Sequence, residues 1–124
     1  MAGIISICFV WFQPLLGEPD VSGNTLLAVS SLASSYCNVR PDCGKDSEIT
    51  ALIVKLIDLT HDCNTQNVEA RKIVFALRAL GNIGHSHVAV SHLTRCFTRR
   101  DVPEEIRIAA MDAFRRVPCD AMVS

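Results

Sequence analysis

The sequence predicts an all-α chain: a helical-repeat solenoid (α-α superhelix) of about five to six helices, part of a larger arch. Three observations carry this. Ile73, Phe75, Ala76, Leu77, Leu80 and Ile83 recur at helical spacing, while Arg71, Lys72 and Arg78 fall on the water side. The pattern returns 37 residues on, where Ala76-Leu77-Arg78-Ala79-Leu80-Gly81 overlays Ala113-Phe114-Arg115-Arg116-Val117-Pro118. No stretch gives a persuasive strand.

At 124 residues the chain has room for one small domain or part of a larger one. Residues 1–21 are read as an apolar N-terminal segment and linker, and residues 22–124 as the helical domain. The apolar run from Ala2 to Leu16 is too short for a comfortable membrane span. Its readings stay open: a signal-peptide core without a preceding Lys or Arg and with Pro14 near its end, a buried helix, or a start replacing other upstream sequence. Gly17-Glu18-Pro19-Asp20-Val21-Ser22-Gly23 is a breaker-rich linker.

Ser22 or Asn24 can cap a helix over about residues 25–37, with Leu26, Leu27, Val29, Leu32, Ala33 and Tyr36 on its apolar side. Its Ser and Ala residues suit close helix–helix approach. Pro41 pushes Arg40 out of the α region, so a loop follows. Asp46 or Ser47 caps a second helix to about His61, with Ile49, Leu52, Ile53, Leu56, Ile57 and Leu59 inward. The central helix begins near Asn67 with Glu69 in its first turn, favourable to the helix dipole. Gly81 and Gly84 are where it should turn off, because glycine reaches positive φ without a steric penalty.

Ser86 can cap the next helix, which carries Val88, Ala89, Leu93, Cys96 and Phe97, with Arg95, Arg99 and Arg100 toward its C-terminal end. Asp101-Val102-Pro103-Glu104-Glu105 reads as a helix start: a cap, a proline near the first position, then acidic residues. The last helix uses Ile106, Ala109, Ala110, Ala113, Phe114 and Val117 and stops at Pro118. The terminal helices keep apolar faces without the polar cap that an end repeat needs, so a segment of a longer array is expected.

Composition excludes several function classes. A net charge of −1 and short Arg pairs (Arg99-Arg100, Arg115-Arg116) give no stripe for nucleic acid. There is no Gly-x-Ser-x-Gly elbow, phosphate-cradling loop, His-Glu-x-x-His or paired carboxylate on a helix face, so no catalytic residue is expected. Glu104-Glu105 is explained as a helix N-terminus.

Six cysteines in so short a chain imply either metal ligation or folding in an oxidising compartment. No Cys-x-x-Cys pair occurs, and His85 and His87, two apart, point to different faces of a helix. Neither a metal nor a cofactor is expected, and His61, His85, His87 and His92 are read as solvated or capping residues. A disulfide between Cys37 and Cys43 would staple a helix end to the next connection. Cys63 and Cys96 would lie at the same end of an antiparallel helix pair, a geometry that permits a bridge. Cys8 and Cys119 have no evident partner.

Two segments resemble the helical domain of the large lipid transfer proteins (vitellogenin, insect apolipophorin, apolipoprotein B and the microsomal triglyceride transfer protein). The first runs from Ser30-Ser31-Leu32-Ala33-Ser34-Ser35-Tyr36-Cys37 to Pro41-Asp42-Cys43. The second runs from Ala76-Leu77-Arg78-Ala79-Leu80-Gly81-Asn82-Ile83-Gly84 through Cys96 and Val102-Pro103-Glu104-Glu105-Ile106-Arg107-Ile108-Ala109-Ala110 to Ala113-Phe114-Arg115-Arg116-Val117-Pro118-Cys119. The motifs stand in the family's order and at similar spacing over about residues 22–119, with vitellogenin and apolipophorin closest.

The resemblance implies a piece of a two-layered helical arch and disulfides Cys37–Cys43 and Cys63–Cys96. It also implies a secreted, extracellular protein that carries phospholipid and neutral lipid as part of a full-length parent. In that parent, neighbouring helical repeats and β-sheets would be its partners. The family's lipid cavity is walled largely by β-sheets outside the helical domain, so the expected role is scaffold without lipid binding of its own. The alternative is a stand-alone helical-repeat interaction module with reduced cysteines. Direct lipid-surface binding by the helix from Ile106 to Val117 ranks last, because its apolar face is alanine-rich and its polar face mixed in charge.

Overall fold

The structure is a computed structural model that describes residues 23–40, 42–66, 68–84 and 89–117. It is all-α. The described residues form α1 (Gly23–Val39), α2 (Ser47–Leu59), α3 (Ala70–Ile83), α4 (Val90–Thr98) and α5 (Glu104–Arg115), with short 3₁₀ turns at Cys43–Lys45 and His61–Cys63 and no strand. None of these helices is long and apolar enough to cross a membrane.

α3 is the hub. It packs on α1 along one side and α5 along the other, so α1, α3 and α5 form a row. α2 packs on α3, and α4 packs on α5. The cause is the composition of α3, whose Ile73, Ala76, Leu77, Ala79, Leu80, Gly81 and Ile83 are all buried. A stripe that wide exceeds what one neighbour can cover. Arg71, Lys72 and Arg78 stay exposed, as the sequence predicts.

Small residues set how closely the row packs. Ser30 and Ala33 of α1 are fully buried. The Ser30 hydroxyl donates to the Leu27 carbonyl at 3.0 Å and receives a 3.4 Å bond from the Asn82 side chain of α3. Across the other contact, a Cβ on Gly81 would lie 3.2 Å from the Ala113 Cα of α5. Gly81 therefore does not end α3, contrary to expectation. It lies inside the helix, where the α5 backbone comes closer than a side chain ordinarily allows. Gly84 ends the helix with φ +74°, the left-handed position that favours glycine.

The inward positions predicted for α1, α2 and α5 are found in the core. Leu26, Val29, Ala33 and Tyr36, then Ile49, Leu52, Ile53 and Leu56, then Ile106, Ala109, Ala110 and Ala113 are buried. Leu27, Leu32, Ile57, Leu59 and Phe114 are half-buried at its margin. Phe114 meets Phe97 of α4 edge-on, with ring centroids 5.3 Å apart.

At α2 and α5 the helix starts depart from expectation for a shared reason: the oxygens of Asp46 and Asp101, named as caps, serve other partners. Asp46 occupies the N-cap position of α2, but its carboxylate accepts the Tyr36 hydroxyl proton instead of a helix N–H. Asp101 lies before α5, held by Arg99, and Pro103 takes the cap position with its carbonyl accepting from Ile106 and Arg107. Asn64 accepts from the Gln66 N–H at 2.8 Å, an Asx turn, and α3 begins later with Glu69 as cap rather than in the first turn. α1 starts at Gly23, whose bare Cα admits the Phe75 ring; a Cβ there would be 2.6 Å from it. Ser22 and Ser86, the other named caps, lie outside the described residues, as do Asn67 and Pro118.

Candidate functional site

The chemistry-bearing side chains gather where α2 ends and α4 begins its last two turns. After Leu59 the backbone leaves the helix because His61, Asp62 and Cys63 take φ of 49°, 53° and 59°. Left-handed conformations are costly for L residues, so this turn must be held from outside. Cys63 N–H donates to Thr60 O at 2.8 Å, and Asn64 N–H to His61 O at 3.0 Å. From the α4–α5 connection, Arg99 donates to the Asp62 carbonyl at 3.2 Å and the Asp62 carboxylate at 3.4 Å. The same guanidinium donates to both Asp101 oxygens, at 3.2 and 2.9 Å. These bonds raise the Arg99 pKa and hold the Asp101 carboxyl below its ordinary range.

Cys63 is linked to Cys96 in α4, with Cα atoms 5.8 Å apart. One turn before Cys96 on the same face of α4 stands His92, only 6% exposed. Its Nε2 is hydrogen-bonded to the Thr60 hydroxyl at 2.7 Å and lies 3.7 Å from Cys96 Sγ. Its Nδ1 faces the Asp62 carboxylate at 3.8 Å. Thr60 is fully buried, and its hydroxyl also donates to the Ile57 carbonyl at 2.6 Å. Burial pushes the imidazole pKa below its ordinary value, against the upward pull of Asp62. The sequence reading of His92 as solvated or capping is thus corrected. The one signal available was its four-residue spacing from Cys96, which puts both on one helical face.

The second cluster closes the α1–α2 connection. Cys37 in the last turn of α1 is linked to Cys43 in the 3₁₀ turn, with Cα atoms 5.3 Å apart. Tyr36 reaches over the same connection to Asp46, and Arg40 lies over its ring at 5.9 Å. The bond to Asp46 raises the phenol pKa, and burial adds to it. Cys8, Cys119, His85 and His87 lie outside the described residues, and His61 is exposed.

A third feature is an open groove of about 420 Å³ along the α1–α3–α5 row. Its floor includes Leu77, Ala109 and Ala113, and its rim carries Arg78, Glu105, Asp112 and Arg116. The four rim charges, two of each sign, sum to zero, so the groove has no excess of either sign to attract a charged ligand. Ile108 of α5 also lines it and is 54% exposed, and Met111 on the same helix is 46% exposed.

Residues 12–123 match the family described as Vitellogenin TPR domain. The chain is similar to the apolipophorins of Manduca sexta, 29% identical over 113 residues that make up 88% of this chain and 3% of that protein. Against the apolipophorins of Locusta migratoria it is 24% identical over 111 residues, 89% of this chain and again 3% of the relative. It therefore spans about 3% of the length of these curated relatives. No solved structure matches.

Proposed function

This chain belongs to the Vitellogenin TPR domain family of the large lipid transfer proteins, and on that premise we propose that it is a helical scaffold segment of a secreted lipid transporter. The observation that carries the scaffold role is the fate of α3. Its buried residues are spent on α1, α2 and α5, and the groove that faces outward along the row is charge-balanced. Repeats built this way transmit shape along an array by nearest-neighbour packing.

In this reading the two cystine links hold in the native protein and fix the helix connections of an extracellular arch. Phospholipid and neutral lipid are carried by the whole transporter, against β-sheets that this segment braces. Exposed Ile108 and Met111, three residues apart on α5, give a neighbouring repeat an apolar contact.

Flotation tests the reading. The purified chain is mixed with phosphatidylcholine vesicles or with triacylglycerol droplets coated by the same lipid, and centrifuged through a density gradient. A scaffold remains at the bottom with its helical circular dichroism intact. Co-flotation would overturn the role and assign lipid contact to these residues, with α5 the first helix to mutate. Free thiols at Cys37, Cys43, Cys63 and Cys96 in natively purified protein would favour an intracellular interaction module.

A further inference from the structure

We propose that the opened Cys63–Cys96 pair, together with His92, forms a buried zinc site, so that metal binding and disulfide formation are alternative states of one cluster. Cys63, His92 and Cys96 are all buried and offer ligand atoms within 4.8 Å of one another. His92 and Cys96 stand four apart on α4, so a rigid helix supplies two ligands at fixed spacing. With Zn–S of about 2.3 Å and Zn–N of about 2.1 Å, a tetrahedral ion separates sulfur from nitrogen by about 3.5 Å. Cys96 Sγ and His92 Nε2 are 3.7 Å apart. The sulfurs must part to about 3.8 Å in such a site, which requires the Cys63 side chain, in the 3₁₀ turn after α2, to rotate away from Cys96.

The imidazole is also set up from behind. A metal-bound histidine commonly directs its other ring nitrogen at a carboxylate, which orients the ring and raises its basicity. Asp62 stands at Nδ1, 3.8 Å away, while Nε2 points toward the sulfur. The Thr60 hydroxyl, now on Nε2, keeps its bond to the Ile57 carbonyl when Nε2 turns to the metal. Two thiolates and one imidazole are a donor set for zinc, with the fourth position left to water. Opening the disulfide takes two electrons and two protons, which a dithiol reductant supplies while closing to its own disulfide. Zinc then displaces one proton from each thiol to solvent, and the imidazole proton passes from Nε2, where it faces the Thr60 oxygen, to Nδ1 on the Asp62 side.

The test uses the full chain, reduced and freed of reductant and metal under anaerobic conditions. Cobalt(II) is titrated first as a visible probe, then zinc. The expected result is one cobalt per chain, with tetrahedral d–d bands and a thiolate charge-transfer band, all lost when zinc displaces it. Bound zinc should slow alkylation at Cys63 and Cys96 at least tenfold, leaving the other cysteines unchanged by peptide mapping. His92→Gln and Cys96→Ser should lose the bands, and the oxidised chain should never show them. Asp62→Asn should keep them with weaker binding.

Circular dichroism on each variant separates loss of ligand from loss of fold, and zinc-edge absorption on wild type counts two sulfurs and one nitrogen independently of any variant. Absence of the bands in the reduced wild type, folded or not, would overturn the proposal. So would bands retained in His92→Gln, or zinc protection mapping to other cysteines.

Discussion

Gly81 and Ala113 meet closely across the α3–α5 contact, since a Cβ on Gly81 would sit 3.2 Å from a backbone atom, tighter than an ordinary contact. Replacing Gly81 with valine forces two helix backbones apart, and overpacking of this kind costs about 2–3 kcal/mol. The expected outcome for Gly81→Val is a lower denaturation midpoint at unchanged slope. Thr60 permits a finer test. Thr60→Val keeps the shape but strands His92 Nε2 and frees the Ile57 carbonyl, an expected loss of roughly 1–3 kcal/mol. Thr60→Ser keeps the hydroxyl and should lose only about 0.8 kcal/mol for the missing methyl. Urea melts of the pair check this; equal losses would mean that the hydrogen bonds contribute nothing.

The helices were legible in the sequence because each keeps a 3.6-residue stripe along its length, and packing rewards that stripe wherever the neighbours lie. Their starts were less legible. Asp46 and Asp101 are good caps by residue type, yet Tyr36 and Arg99 claim their oxygens. The partners of Asp46 and Asp101 are set by the paths of α1 and of the α4–α5 connection. His92 was misread for a similar reason: its burial comes from the turn around Thr60, 32 residues earlier. Gly81 was misread because helix termination and close approach both select glycine, and only the position of α5 distinguishes them. At this scale the two cystine links also separate. By loop-closure entropy the short Cys37–Cys43 loop contributes roughly 2–3 kcal/mol and the longer Cys63–Cys96 loop roughly 3–4 kcal/mol. Paired Cys→Ser variants should therefore rank in that order in thermal denaturation; the reverse order would show that the short loop contributes more than closure entropy.

Across the whole molecule, the row of α1, α3 and α5 with α2 and α4 laid against it is a scheme that further helix pairs can extend on either side. The chain covers about 3% of the curated apolipophorins it resembles, so the proposed role is that of a brace within a much larger lipid carrier. Both cystine links sit at connections between helices, Cys37–Cys43 between α1 and α2 and Cys63–Cys96 between the turn after α2 and α4. The central claim is a disulfide-fixed helical scaffold made for an oxidising compartment. Its most direct test is non-reducing peptide mass mapping of the chain expressed through a secretory pathway. The account predicts Cys37 joined to Cys43 and Cys63 joined to Cys96. Folded, secreted protein with those four thiols free, or paired in another order, would contradict it.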